Sequence, residues 1–225
     1  MRLMKAGIAV GTLVMVSILG YATTSPSPGP KGGRLFTEGS AEAAAAPRPQ
    51  ATETYMIDPV HSTIGFSVRH LVINYVPGRF KEFQGTIQYD PSDVTKSSVE
   101  FTAKVASIDT GVAPRDNHLR SPDFFDAAKY PDMTFKSTKV ERKGKDAYVA
   151  RGTFTLKGVS KEIAIPFKLY GPVTDPRKTV RLGVEASLTI NRQDYGVSWS
   201  QKLDNGGLVV ANDVNVQLNL EAVKK

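Results

Sequence analysis

From about residue 52 onward the chain alternates apolar and polar residues with period two, the signature of strands that bury one face. "STIGFSV" sets Ile64, Phe66 and Val68 against Thr63, Gly65 and Ser67. "VEFTAKV" does the same with Val99, Phe101, Ala103 and Val105. "EIAIPFKL" offers Ile163, Ile165, Phe167 and Leu169; "VRLGVEASLTI" runs from Val180 through Leu188 to Ile190. "VNVQLNL" adds Val214, Val216, Leu218 and Leu220, and weaker strands are "YMID", "RFKEFQGTIQY", "MTFKSTKV" and "AYVARGTFTL". Asp90-Pro91, Lys143-Gly144, Lys157-Gly158, Gly171-Pro172 and Asn205-Gly206 supply the turns between them. The pattern predicts eight or nine antiparallel strands, each with one apolar face.

So many one-sided strands with so little helix leave two architectures, a sandwich or a closed barrel. An eight-stranded barrel can be filled by its own side chains or can hold one small ligand. Ala103, Ser137, Gly152 and Ala186 fall among large residues on the inward faces, and small inward residues leave room inside. The reading is all-β and antiparallel, and the small inward residues favour a cavity; sandwich and barrel both stay open on the pattern alone.

One stretch interrupts the alternation. "RDNHLRSPDFFDAAKYP", residues 115–131, reads as a short helical insertion near 114–129. Pro114 suits a first helical position. Ser121 and Pro122 read as the N-cap and first residue of a second short helix, with Asp123 in its first turn. Tyr130-Pro131 stops it, because the residue before proline avoids the α region. Capping leaves Arg115, His118 and Arg120 unexplained.

Composition narrows the chemistry. The 225 residues are 40% hydrophobic and 23% charged, which is globular. No cysteine is present, so disulfides, thiolate zinc sites and cysteine nucleophiles are excluded. The formal charge is +7, but five cations against two acids lie in residues 1–50, and the rest are scattered rather than striped. No nucleic-acid partner is expected. His61, His70 and His118 lack the short-range spacing of structural zinc ligands, and no metal is expected. No G-x-S-x-G elbow occurs, so no catalytic residue is assigned.

The N-terminus "MRLMKAGIAVGTLVMVSILGYA" joins Arg2 and Lys5 to an apolar run, followed by small residues at Gly20 and Ala22. It reads as a signal peptide over 1–22, since the run falls short of the ~20 residues a spanning helix needs. An uncleaved anchor is the rival. No cysteine follows, so a bacterial lipoprotein anchor is excluded. Residues 23–51 are rich in Pro, Gly and Ala and read as a disordered linker. The folded domain is 52–225. The chain is expected in the periplasm or secreted, tethered to the inner membrane if its N-terminal segment is retained.

Five stretches resemble, in order, the YceI-like family of secreted, lipocalin-like, polyisoprenoid-binding proteins. They are "DPVHSTIGFSVRHL", "GRFKEFQGTIQYD", "RDNHLRSPDFFDAAKYP", "GTFTLKGVSKEI" and "INRQDYGVSW". The resemblance implies an all-β, antiparallel, lipocalin-like barrel of eight or nine strands around a long apolar tunnel, occupied by an isoprenoid or similar amphiphile such as a polyprenyl diphosphate, quinone or fatty amide. It also implies no enzymatic activity and no cofactor beyond that lipid. On that reading Phe66, Val68, Phe101, Ala103, Phe135, Phe154, Phe167 and Leu188 line the tunnel. His70, Arg115, His118 and Arg120 are head-group candidates, since an arginine fork suits a diphosphate and a histidine can donate to a quinone oxygen. Arg115 pairing with Asp116, Asp123 or Asp126 in a salt-bridged loop stays open beside it. Transient membrane contact and a homodimer are further partner expectations. A packed barrel serving as an interaction module, or a hydrolase whose triad assembles in space, are the competing functions.

Overall fold

Alternation and turn chemistry build eleven strands and one α-helix in the computed structural model, which describes residues 51–204 and 206–225. In chain order these are β1 (Glu53–Ile57), β2 (Thr63–His70), β3 (Asn74–Phe80), β4 (Phe83–Tyr89), β5 (Ser98–Lys104), β6 (Ile108–Asp109), α1 (Ala113–Arg120), β7 (Asp132–Arg142), β8 (Ala147–Leu156), β9 (Val159–Thr174), β10 (Val180–Asn191) and β11 (Val210–Lys224). The leader expected over 1–22 and the linker over 23–51 lie outside the described residues, Ala51 apart.

Eight strands close a ring in the order β1-β4-β5-β7-β8-β9-β10-β11, and β11 pairs back to β1. Every pairing is antiparallel. The expected barrel is therefore present, with strands to spare. β11 makes this possible by its length: it pairs with β2 from Val210 to Asn219, then with β1 from Ala222 to Lys224. From β2 the sheet continues outside the ring through β3 to β6.

Local chemistry sets the register. Lys157 and Gly158 both have positive φ, 49° and 76°, and join Leu156 directly to Val159 in a two-residue hairpin. Between Ser137 and Lys139 the β7–β8 register shifts by a bulge. Gly152 sits opposite it, and a Cβ there would lie 2.2 Å from the Lys136 carbonyl oxygen. Gly152 and Ser137 thus let two backbones approach closely and do not open the interior, contrary to the reason the sequence offers for their size. The Ser137 hydroxyl accepts from the Val99 N–H at 2.8 Å, keeping the bulged backbone tied to β5.

The island after β6 is helical only in part. α1 ends at Arg120, and Ser121 is its C-terminal cap: its extended backbone and its hydroxyl both close on the His118 carbonyl. Ser121 does not start a second helix. Residues 121–129 form successive turns, closed by the N–H groups of Phe124 and Asp126 on Ser121 and of Tyr130 on Asp126.

Two apolar cores lie toward the two ends of the ring. One holds Tyr55, Ile57, Tyr89, Val140, Tyr148 and Leu182; the other holds Ile64, Val105, Ile108, Phe124, Met133 and Tyr195. The long strands run from one to the other, as β7 does from Met133 to Val140 and β8 from Leu156 back to Tyr148. The outer wall is charged and hydrated, with pairs such as Lys136–Glu100 at 2.6 Å and Lys104–Asp132 at 2.8 Å.

Candidate functional site

Between the two cores the barrel is hollow. A cavity of about 240 Å³ runs through it, touched by residues of both end clusters. One wall shows why. Along β9 the inward residues Ile163, Ile165, Phe167 and Leu169 are only half-buried, although they face the inside. Val214, Val216, Leu218 and Leu220 of β11 and Phe66 and Val68 of β2 are the same. No protein side chain packs over them fully, so apolar surface faces open space inside the barrel.

The wall carries almost no polarity. Of its side chains only Tyr89, Ser97, Ser98 and Arg192 hold a polar atom. Arg192 is 5% exposed, and burial pulls its pKa below the ordinary guanidinium value. Its Nε donates to the Ala211 carbonyl at 3.0 Å, and Nη1 donates to the Val197 carbonyl at 2.7 Å. Nη2 donates to the Val210 carbonyl and to Asn212 Oδ1 at 3.4 and 3.2 Å. These bonds tie the turn after β10 to the start of β11, so the guanidinium is spent on the rim. Sequence reasoning missed Arg192. The signal was there: it continues the even-numbered inward row that runs through Leu182, Val184, Ala186, Leu188 and Ile190.

Seven of the eight expected lining residues face the cavity: Phe66, Val68, Phe101, Phe135, Phe154, Phe167 and Leu188. Ala103 does not. It is 0% exposed, sealed in the second core among Ile64, Val105 and Met133. The Phe66 ring owes its pose to Gly78, its cross-strand partner, where a Cβ would come within 2.2 Å of Phe66 Cζ.

None of the four head-group candidates lines the cavity. Arg115 Nε and Nη2 donate to the Thr110 hydroxyl and carbonyl, at 2.7 and 2.9 Å, bracing the loop before α1. Asp116, buried, accepts from the N–H and hydroxyl of that same Thr110. Arg120 donates to the Ala106 and Ile108 carbonyls at 2.7 Å each. His118 stands 2.9 Å from Asp123 and meets the rings of Phe124 and Trp199 edge-on, at 5.0 and 5.4 Å between centroids. His70 ends the inward row of β2, where its carbonyl accepts from the Ile73 N–H and closes the β2–β3 turn. Short-range pairing with backbone and nearby acids satisfies Arg115, His118 and Arg120 where they stand, while His70 is engaged there through its backbone carbonyl.

The island does serve the cavity, through its apolar residues. Leu119, Phe124 and Phe125 reach the wall, with Phe125 against Phe80 at 6.4 Å. Trp199 stacks behind Phe124 at 5.2 Å and does not touch the cavity. The insertion is a plug whose polar face holds it in place.

Comparison with known proteins agrees with this geometry. The family model described as the YceI-like domain matches residues 55–222. A UPF0312 protein of Shewanella sp. strain ANA-3 is 38% identical over 182 residues, covering 80% of this chain and 92% of its own. The crystal structure of a YceI protein from Campylobacter jejuni is 33% identical, with a TM-score of 0.61 over 70% of this chain and 90% of that one. A structure described as a polyisoprenoid binding domain from Saccharophagus degradans, implicated in plant cell wall breakdown, shares the fold at 19% identity. Its TM-score is 0.59, over 76% of this chain and 98% of that one. Because the family model covers residues 55–222, nearly the whole barrel, this chain belongs to the YceI-like family.

Proposed function

We propose that this protein is a non-enzymatic carrier or sequestering protein that takes the hydrocarbon tail of an isoprenoid, quinone or similar amphiphile into its barrel, in the periplasm or outside the cell. The carrying observation is the half-buried apolar wall of β9, β10, β11 and β2 around an unfilled interior. A barrel stabilised by burial alone would fill that space; leaving it open forfeits contacts along every lining side chain. A tail entering it recovers about 0.8 kcal/mol per methylene removed from water, less the cost of association and ordering. A polar head cannot be satisfied by this wall and stays at an opening, in water.

Catalysis finds little support. Among the described residues the polar side chains at the cavity include no carboxylate and no histidine, so none can activate a hydroxyl there. The apolar leader in the sequence supports export, and the domain description of the Saccharophagus protein supports the isoprenoid class.

Organic extraction of the purified full chain, read by mass spectrometry, is expected to yield one amphiphile in stoichiometric amount, and delipidated protein is expected to take up an apolar fluorescent probe. The Val216→Trp variant, which fills the bore from β11, should lower that uptake on the order of tenfold while costing less than roughly 3 kcal/mol of stability. Uptake unchanged in Val216→Trp, or absent from folded wild type, refutes the reading.

A further inference from the structure

The β2–β3 turn breaks the rules of hairpin chemistry. Leu71 and Val72 both have positive φ, 51° and 67°. Turns of this kind select Gly, Asn or Asp, and a β-branched residue with positive φ is strained. The turn also exposes what it carries: Leu71 36%, Val72 53%, Ile73 80% and Tyr75 45%. Strain and exposed apolar surface together bring the fold no gain, and such violations mark places where function outweighs stability.

Its surroundings give the occupant. From Pro59 to Lys81 the chain has no acidic residue, and Arg69 and His70 lie beside the tip; Arg79, farther down β3, is paired with Asp109. Arg69 holds the tip rigid: it donates to the Val72 carbonyl and the Tyr75 hydroxyl, both at 3.0 Å, and covers the Tyr75 ring at 4.4 Å. The neighbouring loop adds Lys202 and Asp204. The tip stands at the rim of the cavity. Leu71 N–H donates to the Val209 carbonyl, His70 pairs with Val210, and Val68 and Val210 both line the interior. An apolar wedge with Arg69 at its base, beside the Val68 and Val210 edge of a hydrocarbon-lined bore, matches an anionic lipid bilayer.

We propose that residues 71–75 are a membrane-docking tip that seats the barrel rim on an anionic bilayer, where hydrocarbon tails enter or leave the cavity. This rests on the lipid-carrier reading above. The tip inserts Val72 and Ile73 among acyl chains, and Arg69 and His70 meet the phosphates.

Because the protein has no cysteine, one environment-sensitive dye can be placed at will. The full chain is labelled as Ile73→Cys or, on the outer wall, as Lys136→Cys. Each is mixed with phosphatidylcholine vesicles, with or without phosphatidylglycerol. The dye at position 73 is expected to become shielded from an aqueous quencher, most strongly with phosphatidylglycerol, while that at 136 stays accessible. This readout is local, so adsorption through the N-terminal segment alone leaves 73 accessible and overturns the proposal. Shielding by unlabelled protein without vesicles, which indicates self-association, also overturns it. The double variant Val72→Asp, Ile73→Asp is expected to slow delivery of bound probe to vesicles at least on the order of tenfold, since each buried aliphatic side chain is worth about that in affinity. Its probe uptake in solution should match wild type. Normal uptake with an accessible position 73 removes the docking tip alone; failed uptake with a shielded 73 removes the carrier reading alone.

Discussion

Leu182 and Leu188 lie on the same inward row of one strand and meet opposite fates. Leu182 is 1% exposed, packed in one of the two apolar cores; Leu188 is half-buried and faces the cavity. The contrast extends around the ring. On β7 and β8 the residues Met133, Phe135, Val140, Tyr148 and Leu156 are buried, whereas inward residues of β9 and β11 stay half-open. Both sets of strands alternate equally well. Alternation decides which way a side chain points, and the partner across the barrel decides whether anything meets it.

The largest effect should come from the two leucines themselves. Leu182→Ala in ligand-free protein is expected to cost about 3–5 kcal/mol, since it empties a packed site. Leu188→Ala should cost roughly 1–2 kcal/mol, because part of its surface already lacks protein contacts. Urea unfolding of both variants measures the difference; equal costs would mean that the two regions are packed alike. Loading with lipid should raise the cost at Leu188 and leave Leu182 unchanged.

A smaller effect follows from Gly78. Gly78→Val should push the Phe66 ring out of the place it holds against the bare backbone, costing roughly 1–3 kcal/mol and reducing probe uptake several-fold. Retained uptake with an unmoved ring would show that the wall yields elsewhere.

The smallest effect concerns a region that only holds the ring shut. Arg181 joins Asp58, Asp175 and Glu221 at 3.1, 3.0 and 2.5 Å, stitching the end of β11 to the turns beside it. The bond with the His61 ring, with help from the Val60 N–H and Arg181, holds the Asp58 carboxyl below its ordinary range. Asp175 is likewise lowered, by the Thr179 N–H and Arg181. Groups depressed in this way contribute stability in full above the ordinary carboxyl range near about 4, and lose it as pH falls through the depressed values. Arg181→Met should therefore be slightly less stable than wild type at neutral pH, with the gap narrowing as pH falls below about 4. Probe uptake should be unaffected at either pH.

The strongly alternating strands, their inward rows and the polar outer wall were legible in the sequence, because the pleat turns period two into two faces whatever the partners are; β6 and the break between β3 and β4 were not, and Gly171-Pro172, read as a turn, lies inside β9. The short helix was legible too, but Ser121 was not: a serine beside a proline can begin a helix or end one, and only the position of the His118 carbonyl decides. Ala103 and Phe101 read alike on one strand, yet the first is sealed and the second faces the cavity. The charged candidates were chosen by residue type, and their partners, Thr110 for Arg115 and the Ala106 and Ile108 carbonyls for Arg120, come from loops whose approach no alternation encodes.

By itself, then, the sequence determined that this chain forms one-sided antiparallel strands, with apolar residues enough for an interior and charge enough for a hydrated exterior. Whether that interior is filled belonged to the tertiary structure, because filling depends on side chains that meet across a ring of eight strands, far apart in the chain. The same holds for Arg192, a cation that alternation points inward and that only the converging carbonyls of Val197, Val210 and Ala211 make tolerable there.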